Sequence, residues 1–165
     1  MKYVGSEIEL FADAVGWKRY VRDRISPYIR GRVLEVGAGI GAFTEHLAPL
    51  APEHWSCLEP DLDLLAEIAH RRTEGRIPHT VQSVPGTVAD IPTGVQFDSI
   101  LYLDVLEHIV DHRAETARAA DLLAPGGHLI ILAPPFSSSI PPSTLRSDIA
   151  VATPGQALPA SARPA

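Results

Sequence analysis

The chain has 165 residues, of which 45% are hydrophobic and 21% charged, which is enough apolar side chain for one folded domain. Asp and Glu outnumber Lys and Arg by 20 to 14, and the net charge of −6 disfavours binding to nucleic acid through phosphate neutralisation. The single cysteine, Cys57, excludes an internal disulfide and a cysteine zinc cluster. Without an 18-residue apolar run or a basic leader, we expect a cytoplasmic protein that does not span a membrane.

Residues 1–30 predict a helical segment, because apolar residues recur at helical spacing from Gly5 onwards until Pro27 stops the pattern. From residue 31 to residue 133, short apolar runs alternate with helical patterns. The predicted strands are 33–36, 55–58, 80–84, 97–103 and 128–132, and the predicted helices are 40–50, 61–72 and 105–123. This alternation is typical of an α/β fold with a Rossmann-like, doubly wound, mostly parallel sheet.

Residues 134–165 form a tail of different composition. They contain seven of the fifteen prolines and six serines, but only three charged residues. Such a Pro/Ser/Ala-rich stretch buries too little apolar area to offset its chain entropy, so we expect disorder and no strand beyond the fifth.

A glycine cluster, Gly37, Gly39 and Gly41, lies where the first strand hands over to the next helix. Glycine permits a sharp turn and the close approach of a ligand, and a helix N-terminus offers free N–H groups. Gly37, Gly39 and Ala42 also match the spacing of a dinucleotide fingerprint. A tight turn without a ligand is the alternative interpretation.

Glu59 ends the second strand, where a carboxylate can accept hydrogen bonds from both hydroxyls of an adenosine ribose. Its alternative is an acid in solvent at the end of a strand, and Asp61 is better explained as a helix N-cap. Together with the glycine cluster, Glu59 predicts an adenosine-containing ligand. These residues leave NAD and S-adenosylmethionine both open.

Three blocks distinguish these ligands: Glu35–Gly41, then Asp104-Val105-Leu106-Glu107-His108, then Leu123-Ala124-Pro125-Gly126-Gly127. In this order they resemble the class I S-adenosylmethionine-dependent methyltransferases of the small-molecule type, over about residues 30–133. The resemblance implies S-adenosyl-L-methionine as cofactor and an unidentified small molecule as methyl acceptor. A complete domain of this class has two strands after the fifth, so we expect this chain to lack the last two strands.

The resemblance also implies a set of cofactor-binding residues: Glu35, Gly37, Ala38, Gly39, Gly41, Glu59, Pro60, Thr87, Val88 and Asp104. The glycines would lie under the methionine part, Glu35 would face its amino group through water, and Glu59 would hold the ribose. Relatives often have an acid where Thr87 stands. Adenine recognition is therefore left to Thr87 itself or to backbone groups near Val88.

His108 is the candidate catalytic base, because an imidazole titrates near neutrality and could deprotonate the acceptor. Asp104 and Glu107 have a second interpretation as an acidic capping box at a helix start. A divalent metal held by Asp104, Glu107 and His108 is a minor alternative, and we expect no metal. In similar proteins the leading helix, with Trp17, Lys18 and Tyr20, lies over the cofactor pocket, but its spacing favours Trp17 and Tyr20 facing the core.

The loss of pattern after Ala133 suggests a hypothesis for the tail, namely that it is translated out of frame. Another reading frame over residues 136–158 permits a peptide resembling the stretch that relatives carry at this point. The domain organisation is then a helical segment (1–30), a cofactor-binding core (31–133) and the tail. Two alternative functions stay open: a truncated, non-catalytic cofactor-binding remnant and an NAD-dependent oxidoreductase. The sequence carries no signal for the oligomeric state.

Overall fold

The computed structural model describes residues 15–50, 53–133 and 148–153. Over these residues the chain forms four α-helices: α1 (Val15–Ile25), α2 (Thr44–Leu47), α3 (Leu62–Thr73) and α4 (His112–Asp121). The strands are β1 (Arg32–Val36), β2 (His54–Glu59), β3 (Val81–Pro85), β4 (Phe97–Leu103), β5 (Leu123–Ala133) and β6 (Asp148–Ala152). Two short 3₁₀ turns bear on the site, the 88–90 turn (Val88–Asp90) and the 106–108 turn (Leu106–His108).

The six strands form one sheet in the order β3-β2-β1-β4-β5-β6. The first five strands run parallel, and β6 is antiparallel to β5. The strand order reverses between β1 and β4, and ligands of doubly wound sheets bind outside the carboxyl ends of the strands at this point. The predicted Rossmann-like, mostly parallel α/β fold is confirmed.

Both faces of the sheet are covered, so β1 is buried on both sides. On one face, α1, α2 and α3 pack on a first apolar layer that includes Val21, Ile25, Val33, Leu47, Cys57, Ile68, Leu101 and Ile130. On the other, α4 and the 88–90 turn pack on a second apolar layer that includes Leu34, Val36, Leu58, Val88, Ile100, Tyr102, Ala119 and Ile131. Within the described ranges, no helix is long and apolar enough to cross a bilayer.

Two predicted helices differ from the observed ones. The helix predicted over 40–50 begins only at Thr44, because the chain stays in turns from residue 37 to residue 43. The helix predicted over 105–123 is divided into the 106–108 turn and α4. Helix α4 begins after Asp111, because the Asp111 side chain accepts a hydrogen bond from the Ala114 N–H at 3.0 Å and caps the helix.

The fifth strand begins earlier than predicted, at Leu123 instead of residue 128. Leu123 pairs with Phe97 and His128 pairs with Ser99, so the stretch between Leu123 and His128 bulges out of register. Gly126, with φ of 75°, supplies the left-handed conformation that such a bulge requires.

The expectation that no strand follows the fifth is wrong. Asp148–Ala152, within the tail, pairs antiparallel with β5 in the register Leu129↔Ala152 to Ala133↔Asp148. Without β6, that edge of β5 would expose a row of unpaired backbone N–H and C=O groups. The alternation of Ile149 and Val151 with small alanines is a strand pattern too short to stand out in the tail's composition. Residues 134–147 and 154–165, for which disorder was expected, lie outside the described residues, as do residues 1–14.

We predict that β6 stabilises the domain. Removal of residues 134–165 should lower the free energy of unfolding by about 3 kcal/mol, since it exposes apolar area on β5 and removes Ile149 and Val151 from the first apolar layer. It should also cause association through the exposed edge. The measurements are urea denaturation and light scattering. The control is removal of residues 154–165 alone, and equal stability of the two shortened chains would contradict the prediction.

Candidate functional site

The turn after β1 contains three glycines in the left-handed region, with φ of 66° at Gly37, 56° at Gly39 and 76° at Gly41. A Cβ atom on Gly37 would lie 2.6 Å from a methyl group of Val105, and one on Gly41 would lie 2.7 Å from Ile77 Cδ1. At Gly39 no heavy atom lies within 4 Å of that position. Two glycines therefore serve internal packing, and Gly39 alone of the three faces open space that a ligand can enter.

The backbone N–H groups of this turn are used inside the protein. Gly37 and Ala38 both donate to the carbonyl oxygen of Leu58, at 2.8 and 3.3 Å, and Gly41 donates to Ala38. The helix expected directly after the glycines begins only at Thr44 and has four residues, so the N–H groups of Gly37, Ala38 and Gly41 are not those of a helix N-terminus. These bonds instead fasten the carboxyl end of β1 to that of β2.

Glu59 connects the same turn to the end of β2. Its side chain is 6% exposed, its Oε2 accepts the Gly39 N–H at 2.9 Å, and its Oε1 accepts the Asp61 N–H at 3.1 Å. It is therefore not an acid lying in solvent. Each carboxylate oxygen retains a second lone pair for a ligand donor. Asp61 caps α3 as predicted, accepting from the N–H groups of Asp63 and Leu64, and Pro60 is exposed beside it.

Glu35 is buried on the face of β1 that packs against the first apolar layer. Its Oε2 accepts hydrogen bonds from Thr44 Oγ1 at 2.6 Å, Trp55 Nε1 at 3.0 Å and Cys57 Sγ at 3.9 Å. Burial raises the pKa of the Glu35 carboxyl to about 7, against the opposing effect of these three donors. The contacts observed for Glu35 are thus internal ones that join β1, β2 and α2, and no local sequence pattern indicates its three donors.

The segment after β3 lies beside Glu59, because the Gly86 N–H donates to the backbone carbonyl of Glu59 at 3.2 Å. Thr87 directs both its N–H and its hydroxyl to Asp90 Oδ2, at 2.8 and 2.9 Å. These bonds hold the pKa of Asp90 below its usual value. The Val88 side chain is fully buried in the second apolar layer. Its carbonyl oxygen accepts from the Ile91 N–H at 3.3 Å and from Arg118 Nε at 3.0 Å, so the observed contacts of Val88 are internal.

The end of β4 brings three titratable residues together. Asp104 adopts φ of 57°, and burial, followed by the charge of Glu107, raises the pKa of its carboxyl to about 7. Burial also raises the pKa of Glu107, and the charge of His108 opposes that shift. Glu107 Oε2 is buried without a hydrogen-bond partner, whereas His108 is exposed on the 106–108 turn.

The capping-box interpretation of Asp104 and Glu107 is wrong. The turn that follows is a 3₁₀ turn whose N-cap, Val105, makes no side-chain capping bond. The left-handed backbone at Asp104 also departs from the extended conformation that an N-cap adopts. Among the described residues, no group of three or more His, Cys, Asp and Glu is arranged to hold a metal ion.

Helix α1 packs its buried stripe on the first apolar layer. The stripe consists of Lys18, Val21 and Ile25, which are at most 3% exposed. Trp17 packs against this layer, as predicted, and stacks on Tyr20 with ring centroids 5.5 Å apart. The expectation for Tyr20 is wrong, since it is 47% exposed, and the spacing of the stripe places it on the outer face.

Sequence reasoning also missed Arg118 on α4. Its guanidinium donates to the carbonyl oxygens of Val88 and Ala89, at 3.0 and 2.7 Å. The pattern of α4 carries no signal for this contact, because the residue lies on an exposed helix position.

Residues 34–129, more than half of the chain, match the family model of the methyltransferase domain. The chain belongs to this family. A curated relative, the ubiquinone biosynthesis O-methyltransferase of Xanthomonas axonopodis pv. citri (strain 306), is 33% identical over 113 residues, which cover 68% of this chain. The chain spans 46% of that relative's length.

Two solved structures share the methyltransferase fold. An S-adenosylmethionine-bound amino pentose methyltransferase from Micromonospora echinaspora has a TM-score of 0.64 at 22% identity, covering 93% of this chain and 70% of its own. A putative S-adenosyl-L-methionine-dependent methyltransferase from Methanococcus maripaludis has a TM-score of 0.65 at 20% identity, covering 76% and 58%.

We predict that the stability of this site falls as the pH rises from about 4.5 to about 7. The unfolded chain ionises Glu35 near 4.5 and the folded protein near 7, so the folded state binds more protons in this window. Ionisation of Glu35 across this range should lower the free energy of unfolding by on the order of 3 kcal/mol. Ionisation of Asp104 should lower it further, because its pKa is also raised in the folded protein. The substitution Glu35→Gln keeps an acceptor oxygen for Thr44 and should flatten the pH dependence.

The measurement is urea denaturation at a series of pH values from 4.5 to 8. Glu53→Gln, at an exposed residue just before β2, is the matched control and should keep the wild-type slope. A Glu35→Gln slope equal to that of the wild type would show that Glu35 does not hold its proton in the folded state.

Proposed function

We propose that this chain binds S-adenosyl-L-methionine at the carboxyl edge of the sheet and transfers its methyl group to a small-molecule acceptor. One observation carries the proposal: the nearly buried Glu59 carboxylate is held on the Gly39 N–H, next to open space at Gly39. This arrangement lies at the reversal of strand order, where doubly wound sheets bind ligands. Membership of the methyltransferase family supports the same ligand.

The residues present suit that ligand. Glu59 retains acceptor capacity for the ribose hydroxyls, and the absence of a side chain at Gly39 lets a ligand approach the backbone. Backbone groups of the 88–90 turn lie one strand further along, on the side of β3. Asp104 directly follows β4, the strand that pairs with β1 on the other side of the strand reversal. When bound, S-adenosylmethionine supplies a methyl group activated by a sulfonium.

A water-mediated interaction of Glu35 with the cofactor's amino group stays part of the proposal. The observed hydrogen bonds give Glu35 a second role, which is to hold α2 and β2 in place beneath the glycine turn. The remaining cofactor-binding residues of the proposal are Gly37, Ala38, Gly41, Pro60, Thr87 and Val88.

The acceptor is proposed to be a hydroxyl compound, since curated relatives are named as O-methyltransferases. We assign to His108, which is exposed on the turn after β4, the role of taking the hydroxyl proton while the methyl group is transferred. The rest of the rate would come from positioning of the two reactants. We also propose a cytoplasmic location, supported by a single, buried, free cysteine, and no nucleic-acid partner, supported by the net charge of −6.

Calorimetric titration tests the cofactor. The protein should bind S-adenosylmethionine and S-adenosylhomocysteine, and Glu59→Gln should weaken both by about 10- to 100-fold, because hydrogen bonds to a charged carboxylate are lost. Glu53→Gln, which removes an exposed acid just before the same strand, should bind as the wild type does. Binding of NAD alone would overturn the proposal in favour of an oxidoreductase.

A second experiment tests His108. The substitution His108→Gln should lower the rate of S-adenosylhomocysteine formation from a panel of phenols and catechols by about 10²- to 10⁴-fold and leave cofactor affinity unchanged. The pH dependence of the rate should lose its acid limb. His70→Gln, at an exposed position on α3, serves as the control. Cofactor binding by a wild-type protein that methylates nothing would favour the alternative of a non-catalytic remnant.

A further inference from the structure

Glu35 is a buried carboxyl whose described hydrogen-bond donors are all uncharged. The residue is 2% exposed, and its Oε2 accepts from Thr44 Oγ1 at 2.6 Å, Trp55 Nε1 at 3.0 Å and Cys57 Sγ at 3.9 Å. Burial raises the pKa of the Cys57 thiol well above its usual value, so this donor stays neutral. A carboxylate buried among uncharged groups is costly, and Glu35 therefore holds a proton at a pH below about 7.

Three helices bring further titratable groups to the Glu35 face of the sheet. On the elements packed against this face, these groups are Cys57 on β2, Lys18 and Arg22 on α1, Glu45 and His46 on α2, and Arg71 and Arg72 on α3. Arg71 pairs with Glu45 at 3.3 Å, and burial and the charge of Lys18 lower the pKa of His46. The raised pKa of Glu35 follows from its burial, against its three hydrogen bonds. A cation brought by a ligand would therefore meet a carboxyl whose charge these hydrogen bonds leave uncompensated.

The position of Glu35 connects its proton to the ligand site. Glu35 lies two residues before Gly37, and Thr44, its nearest donor, begins α2 at the other end of the glycine turn. All three described donors bind Oε2, and the two shorter bonds occupy its two lone pairs, so a proton on this carboxyl lies on Oε1. In the proposed function a water joins Glu35 to the ammonium group of the cofactor. The proton and the ammonium group then compete for the same carboxyl.

We infer that binding of the cofactor's ammonium group is coupled to release of the proton held by Glu35. The O–H bond of Glu35 breaks, the proton passes to solvent, and the ammonium group keeps its own three protons. The cluster is neutral before binding, and the carboxylate and the ammonium group cancel each other's charge after binding. This inference rests on the proposed function, because it concerns the amino group of the same cofactor.

This coupling gives the cofactor affinity a pH dependence of defined sign. An opposite charge nearby lowers the pKa of a carboxyl, so the complex binds fewer protons than the free protein does. The affinity should therefore rise with pH while the free protein holds the proton, which it does up to a pH of about 7. With Glu35 ionised in the complex, the affinity should rise about tenfold between pH 5.5 and 7 and level off above that range.

The test counts protons by calorimetric titration at pH 6, in phosphate and in imidazole buffers, whose enthalpies of ionisation differ. The two ligands are S-adenosylhomocysteine and 5′-methylthioadenosine, which share the nucleoside and the sulfur but differ in the amino acid group. S-adenosylhomocysteine should release about one proton for each molecule bound, and methylthioadenosine should release almost none. Equal proton counts for the two ligands would overturn the inference, since the amino acid group would then play no part in the exchange.

Glu35→Gln keeps an acceptor oxygen for Thr44 and Trp55 but has no titratable proton, so it should bind S-adenosylhomocysteine without this proton release. Its affinity should be about tenfold below that of the wild type at pH 7.5 and close to it at pH 5.5, where the wild-type side chain is itself neutral. A merely structural role would lower the affinity by the same factor at both pH values. Glu53→Gln, at an exposed residue just before β2, is the matched control and should keep the wild-type proton count.

Failure of this inference is distinguishable from failure of the proposed function. A wild-type protein that binds S-adenosylhomocysteine without releasing a proton overturns the inference alone, whereas one that binds neither ligand overturns the proposed function. If methylthioadenosine binds too weakly to titrate, the affinities of Glu35→Gln at the two pH values decide, and an equal loss at both overturns the inference. If Glu35→Gln does not fold, the proton counts of the wild type decide.

Discussion

The hydrogen bond between the Gly39 N–H and the Glu59 carboxylate, at 2.9 Å, is the constraint on which the site depends. A carboxylate that is 6% exposed is costly unless it is paired, and here a backbone N–H and the start of α3 provide the pairing. The bond joins the turn that follows β1 to the last residue of β2. At the edge where the strand order reverses, the Glu59 carboxylate therefore keeps one lone pair on each oxygen for a further hydrogen-bond donor.

A second carboxyl, that of Glu35, holds the elements next to this edge of the sheet and differs from Glu59 in its hydrogen-bond donors. It lies two residues before the glycine turn, has three side-chain donors and has its pKa raised by burial. Glu59, by contrast, is bonded to backbone N–H groups at the rim. The two acids therefore differ in what they join: Glu35 connects β1 to α2 and β2 through side-chain donors, whereas Glu59 connects the glycine turn to the residue before α3 through backbone N–H groups.

The strands were the most predictable part of the fold. β4 was predicted at its observed bounds. In a chain that alternates strands and helices, a short apolar run between polar residues is interpreted as a buried strand. The break before α4 was missed because Asp104 and Asp111 both offer capping chemistry, and only the packed backbone chooses between them. Glu59 and the glycines followed from local motifs. The donors to Glu35 and the contact of Arg118 join residues far apart in sequence, which local patterns do not encode.

Asp104 is the one non-glycine residue with positive φ in the described part of the chain, and it directly follows β4. An aspartate held there costs about 1 kcal/mol of conformational energy, and replacement by glycine would release that strain. Laboratory selection for heat resistance alone would therefore favour the loss of this carboxyl. A thermostable version obtained in that way would lack the Asp104 carboxyl, which belongs to the cofactor-binding residues we propose, so such campaigns should screen for ligand retention in parallel.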